Sequence, residues 1–255
     1  MEMAGNEEDV MAENEEDVII EIEEDVEEEL PKLLITSEVW EDCLKAVKVQ
    51  KEDMNRLVMN LLVTKGYREA VDIFQKESGT KPQVDFASFT DRAAVIEAIL
   101  SGNTEEAIEK LNVLNPEIPE AKFHLKLQKF IDIVRKETTT TDEALAFATK
   151  ELAPFGEQNE AFRGEFKKSL LLLCYKKDKD FSTCPHKELL SNSQLFKTAT
   201  IVNEAMHTSQ TGEKGSKLEH LLKMLIWTQE QLDEKRVYPC MSYLSNGQLK
   251  VTPPE

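Results

Sequence analysis

The chain has 255 residues and a formal net charge of −18, from 49 acidic and 31 basic side chains. That length allows one large domain or two small ones, and the acidic balance argues against nucleic acid as a partner, since no basic cluster exceeds Lys167-Lys168 or Lys176-Lys177. No apolar run approaches the roughly 20 residues that cross a bilayer, so no membrane role is expected. The acidic start of the chain, with Val18 to Ile22 broken by Glu21, does not read as a secretory signal.

The charge is unevenly spread. Residues 1–29 carry 15 acidic side chains and no Lys or Arg, leaving the remainder only mildly acidic. Glu-Glu-Asp-Val recurs at 7–10, 15–18 and 23–26, a period of eight. Like charges at this density repel, and one valine per repeat buries too little area to offset chain entropy. Residues 1–36 therefore read as a disordered acidic tail and connector; a sharper reading makes the tail an arm for a basic partner.

Thr36 or Ser37 is a plausible N-cap for a leading helix within 37–50, with Val39, Trp40, Cys43, Leu44 and Val47 on its apolar side. Trp40 is expected in a packing role near the next element. That element, residues 51–83, begins with Met54, Leu57, Val58, Leu61 and Leu62 at i, i+3, i+4, i+7 and i+8, one face of a helix. Gly66 can end it by taking a positive φ. A second short helix follows with Tyr67, Ala70, Val71 and Phe74, and stops at Glu77-Ser78-Gly79 before Pro82. Helices this short are marginal alone in water and need a partner surface, in this chain or another.

Asn55, Leu57, Leu61, Leu62, Gly66, Tyr67, Ala70, Phe74, Glu77 and Ser78 together resemble a LisH motif, a helical dimerisation element. Periodicity alone would equally fit an ordinary helical hairpin within a core; the spaced Asn, Gly-Tyr, Phe and Glu-Ser favour the motif.

Further helices follow in order. Residues 89–101 present Ala93, Ile96, Ile99 and Leu100; Asn103 with Glu106 forms a capping-box-like start before Ala107, Ile108, Leu111 and Leu114. Pro119 opens a longer helix to about Lys136, burying Phe123, Leu127, Phe130, Ile131 and Val134. Thr140 with Glu143 repeats the capping signature before Ala144, Leu145, Ala148 and Leu152. Pro154-Phe155-Gly156 reads as a turn. A helix from near Glu157 carries Phe162, Phe166 and Leu170 to Cys174, apolar on nearly every side, so Cys174 is expected in the core. Lys176 to Lys187 reads as a charged loop. Helices over about 193–207 and 216–233 flank the polar stretch Thr208 to Gly215, and the second carries Leu218, Leu221, Leu222, Leu225 and Ile226 with Met224 and Trp227. No strand-like alternation stands out, so an all-α protein is expected.

The order Ile-Leu-x-Gly-x-x-x-x-Ala-Ile, a Pro-Glu turn, Phe-His-Leu and Glu-Ala-Leu-x-Phe-Ala resembles a CTLH region at 86–146, and Leu-Leu-Lys-Met-Leu-Ile-Trp-Thr-Gln-Glu-Gln-Leu resembles the end of a CRA region at 147–240, before a C-terminal tail, 241–255. LisH, CTLH and CRA together resemble the small scaffold subunits of GID/CTLH-type E3 ubiquitin ligases. The resemblance implies a non-catalytic role in proteasomal degradation, in cytoplasm and nucleus. It implies pairing with a RanBPM-like LisH/SPRY subunit, contacts with RING-bearing CTLH subunits, and an armadillo-repeat subunit as a further partner. The pairing face it implies comprises Leu57, Leu61, Leu62, Tyr67 and Phe74, helped by Leu221, Leu222, Leu225 and Trp227 of the last helix. A homo-oligomer or free-standing helical adaptor is the alternative.

The residues themselves give no competing chemistry. A RING needs eight paired Cys/His ligands, whereas four Cys and four His are dispersed here, and Cys184 and His186 lack a second pair. Those two read as ordinary loop residues. The cysteines, without a CxxC, are expected as reduced thiols. His124 and His220 read as packing or solvent residues, and no Gly-rich phosphate loop is present. No catalytic, metal or cofactor site is expected; the third reading, an enzyme, would require an unrecognised pocket.

Overall fold

The computed structural model describes residues 32–176, 181–243 and 248–251; the acidic repeats and the last four residues lie outside them. The described chain is all-α, apart from two small two-stranded sheets.

The leading helix α1 spans Ser37–Ala46, with the Thr36 side chain capping the Val39 amide. The expected hairpin is α2, Lys51–Lys65, and α3, Arg68–Ser78. Gly66 ends α2 at φ 77° and Gly79 ends α3 at φ 70°, the left-handed values that glycine adopts without steric cost. Next come α4, Phe86–Leu100, α5, Thr104–Leu114, and α6, Pro119–Arg135, which starts on its proline. The Thr140–Glu143 capping box forms and opens α7, Thr141–Phe147, which runs into a π-helical turn, Ala148–Leu152. Then follow α8, Ala153–Gln158, α9, Glu160–Lys176, a 3-10 turn at Lys187–Leu190, α10, Asn192–Thr211, and α11, Lys217–Asp233. A second capping box, Ser216 with Glu219, starts α11.

Three cores stack along the molecule. The first joins α2, α3 and α4 through Met59, Val63, Val71 and Phe89. In the second, α4, α5, α6 and α10 bury Val95, Ile99, Leu111, Leu125, Val202 and Met206. The third gathers Phe123, Leu127, Phe130 and Ile131 of α6 with Ala144, Leu152 and Leu172. Because α6 turns Leu125 into one core and Phe123 and Leu127 into the next, it is the central beam of the fold. α10 returns across the chain to complete the core begun by α4 to α6.

Several expectations require correction. The connector contains a short strand, β1 at Leu33–Leu34, parallel to β2 at Arg236–Val237; β3 at Pro239–Tyr243 pairs antiparallel with β4 at Gln248–Val251. β1 and β2, of two residues each, are too short to leave an alternating pattern, and β3 and β4 are only five and four residues long. The ring contact that Trp40 makes is with Tyr238, which follows β2, at 5.4 Å. Asn103 makes no side-chain cap, and it is Thr104 that is tied down, donating to Asp132 at 2.7 Å. Pro154 and Gly156 lie within α8, where proline fits the first turn because no helical partner needs its missing N–H. α9 is not enclosed: Leu172 and Ser169 are buried, but Leu171 and Cys174 face outward. Cys184 does lie in a loop, but it is 3% exposed and belongs to the α6 core. Leu100, Leu114 and Leu145 are exposed, and α10 continues through Thr211, into the stretch expected to be polar loop.

Candidate protein–protein interface

The two helices of the hairpin divide their apolar residues between an inner and an outer side. Met59, Val63 and Val71 turn inward onto Phe89 of α4. Leu62 and Phe74, expected on the pairing face, pack against that same internal core. Met54 and Tyr67 are left 48% and 59% exposed, while Leu57, Val58 and Leu61 are half-buried. Spacing of three and four residues aligns Met54, Leu57 and Leu61 on one side of α2.

α11 crosses beside α2, and none of its residues is buried. Leu218, Leu222 and Leu225 are half-buried, whereas Leu221 is 46% and Trp227 62% exposed, with Met224 and Ile226 exposed beside them. The two helices are locked at their crossing: the Lys217 amide donates to Asn60 Oδ1 at 2.8 Å, and Lys65 Nζ reaches Glu219 at 2.8 Å and Glu204 at 3.5 Å. The Lys65 hydrogen bond and the Ser216 amide hold the Glu219 carboxyl down at about 2. Leu57 and Leu221 line a single shallow cleft with Lys214, Lys217 and His220. Two residues singled out 164 positions apart in the sequence thus share one surface.

What holds this surface in place is a buried polar joint that the sequence reading missed. Arg92 of α4 donates to the Val63 carbonyl at 2.9 Å, to the Thr64 carbonyl at 3.2 Å and to Asn203 Oδ1. Asn203 in turn donates to the Thr64 carbonyl at 2.8 Å, and His207 Nε2 lies 3.1 Å from Thr64 Oγ1. These groups finish the carbonyl end of α2, where a cation is favourable against the helix dipole. Burial lowers the Arg92 guanidinium to about 10 and keeps His207 below its ordinary value. The one available signal was a lone arginine in the apolar run of α4, with Asn203 and His207 four residues apart in α10. Met224 was legible too, three residues from Leu221.

Nothing in these residues forms a reactive constellation. His124 is enclosed between Phe123 and Phe162, and burial lowers its pKa below the ordinary value. Among the described residues, no group of three or more His, Cys, Asp or Glu converges to hold a metal ion, and no helix is long and apolar enough to cross a membrane. The arrangement is an exposed apolar face with Lys214 and Lys217 beside it, held from behind by the Arg92 joint.

The chain matches LisH over residues 52–78 and the CTLH/CRA C-terminal to LisH motif domain over residues 88–233. It is 56% identical over 223 residues to Protein GID8 homolog of Arabidopsis thaliana, covering 86% of this chain and 90% of that one. Identity to the Glucose-induced degradation protein 8 homolog of Dictyostelium discoideum is 45%, over 85% of this chain and 94% of the relative. GID complex subunit 8 of Schizosaccharomyces pombe is 29% identical, over 79% of this chain and 88% of its own.

Proposed function

Since the chain belongs to the LisH–CTLH/CRA family, we propose that it is a non-catalytic scaffold subunit of a GID/CTLH-type E3 ubiquitin ligase. The observation supporting this reading is the α2–α11 face, where Met54, Leu221, Met224 and Trp227 are exposed on two helices that lie against each other. Apolar side chains exposed together on neighbouring helices are what an interaction site offers. Names of relatives that include membership of a GID complex support the identity of the assembly.

In this reading the α2–α11 face pairs with a LisH-bearing subunit of the RanBPM kind, and the surface of α4 to α9 meets the RING-bearing subunits. An armadillo-repeat subunit is a further neighbour, and the assembly works in cytoplasm and nucleus. The scaffold acts by proximity: substrate receptor and catalytic module on one body meet at a higher effective concentration than free in solution.

The test uses Leu57→Asp combined with Leu221→Asp, positions outside the three cores. The scaffold reading expects loss of the LisH-bearing partner on capture, retention of the RING-bearing subunits, and unchanged circular dichroism. Retention of both partners by the double variant would overturn the assignment of the face. Absence of any ligase subunit from captures with the unaltered chain would overturn the ligase reading itself and favour a free-standing adaptor.

A further inference from the structure

We propose that His207 is a proton-operated latch on the hairpin: with a neutral ring it ties the end of α2 to α10, and with a charged ring it lets that end lift away. The inference concerns the isolated chain and stands apart from membership of any ligase.

Thr64 is the peg on which the latch closes. Its carbonyl accepts from Arg92 at 3.2 Å and from Asn203 at 2.8 Å, while its hydroxyl meets His207 Nε2 at 3.1 Å. Asn203 and His207 are four residues apart on α10, so one face of that helix holds both ends of the peg. Thr64 and His207 are 3% and 6% exposed.

The hydrogen bonds assign the ring's hydrogen. Thr211 Oγ1 donates to the His207 carbonyl at 2.9 Å, which leaves it to accept from Nδ1 at 3.0 Å. Nδ1 therefore carries the hydrogen, and Nε2 accepts from the Thr64 hydroxyl. A proton added at Nε2 reverses that bond and turns the Thr64 hydrogen out, where no second acceptor for it lies within reach among the described residues. Only a neutral ring closes the joint without leaving a buried donor unpaired.

The surroundings oppose the same proton. Around the ring stand Arg56 of α2, Lys81 between α3 and α4, Arg92 of α4, Lys217 of α11 and one carboxylate, Glu213. Burial, then the Arg92 charge, keeps the ring below its ordinary 6.5 while α2 is seated. A cavity of about 180 Å³, bordered by Thr64, His207 and Thr211, gives water a route to the ring. Once α2 lifts, hydration removes the penalty, so opening takes up a proton. The seated form is favoured in full above about pH 6.5 and progressively less below it.

The movement reaches the outer face. Lys65, next to the peg, bonds Glu219 of α11, and Asn60 takes the Lys217 amide one turn earlier. Acid thereby loosens the crossing that sets Leu57 beside Leu221.

Amide hydrogen exchange of the full chain from pH 7.5 to 5.5, corrected for intrinsic rates and read by mass spectrometry, tests the proposal. Protection over residues 61–67 should fall by up to about tenfold, the weight of one proton taken up on opening, while protection over 123–131 of α6 holds. His207→Gln offers Thr64 an acceptor that never charges and should show no such fall. Exchange of the His207 ring C2 hydrogen, followed on the unaltered chain, should give a titration midpoint below 6.5. The proposal is overturned if residues 61–67 and 123–131 lose protection together, if His207→Gln keeps the pH dependence, or if the ring titrates at or above 6.5. Should His207→Gln not fold, the regional comparison and the ring titration on the unaltered chain decide.

Discussion

The Arg92 guanidinium lies 2.9 Å from the Val63 carbonyl oxygen, so that a residue of α4 closes the end of α2. The same side chain binds the Thr64 carbonyl and Asn203 of α10, making the LisH hairpin continuous with the body that follows it. Arg92→Met should cost about 2–4 kcal/mol of folding stability, because several charge-assisted bonds go and Asn203 is left buried. Arg92→Lys should recover only part of this, since one ammonium cannot span two carbonyls and an amide. Urea unfolding of the three proteins measures it.

Two glycines separate strain from crowding. Gly66 and Gly79 share positive φ values of 77° and 70°, but a Cβ on Gly66 would meet Asn203 Oδ1 at 2.9 Å, whereas one on Gly79 would meet open space. Gly79→Ala should cost about 1 kcal/mol, from backbone strain alone. Gly66→Ala should cost more, about 2–3 kcal/mol, because Asn203 must also leave Arg92. Equal losses in thermal unfolding would show that the joint yields freely.

Stability should fall with acid in two stages. Burial, followed by the nearby Arg92 charge, keeps His207 below its ordinary 6.5, so the folded chain binds fewer protons there than the unfolded chain. Its contribution is full above about pH 6.5 and diminishes below it. Glu219 is held near 2 against an ordinary 4.5, so its contribution is full above 4.5 and is lost as the pH falls toward 2. The Glu219 side chain is 37% exposed, which moderates the effect. Melting temperatures of Glu219→Gln and the unaltered chain should be fully separated above pH 5 and converge as the pH falls toward 2; parallel profiles would count against the Lys65–Glu219 contact.

Thiol labelling should sort the cysteines by depth. Cys43 and Cys174 are exposed and should react with a disulfide reagent at once, while Cys184 should stay protected until the chain unfolds. Early reaction of Cys184 would mean that its segment opens locally from the α6 core.

Long patterned helices were legible because repeated apolar spacing reports a buried face directly: α6 turns inward all five residues that its period marks. The α2–α11 face was legible only in part. Leu57 and Leu221 line one cleft, but Leu62 and Phe74 pack against the inner core of the hairpin, since a wide apolar stripe does not say which half another element will cover. The polar joint was hidden because Arg92, Asn203 and His207 are read as solvent-facing until the fold brings α2, α4 and α10 to one point. The β1–β2 pair and the Trp40–Tyr238 contact depend on partners some 200 residues away, beyond any local pattern.

The small parallel pair of β1 and β2 has a mechanical consequence. Ile35 donates to the Val237 carbonyl at 2.7 Å, beside Leu33–Leu34 paired with Arg236–Val237. In a parallel pair, a pull on Lys32 and a pull on Pro239 act on opposite ends of the two strands. Tension between the ends of the body therefore loads these bonds together in shear, and the clasp cannot be peeled open one bond at a time. A motor threading this protein from either end meets that latch before any helix unwinds.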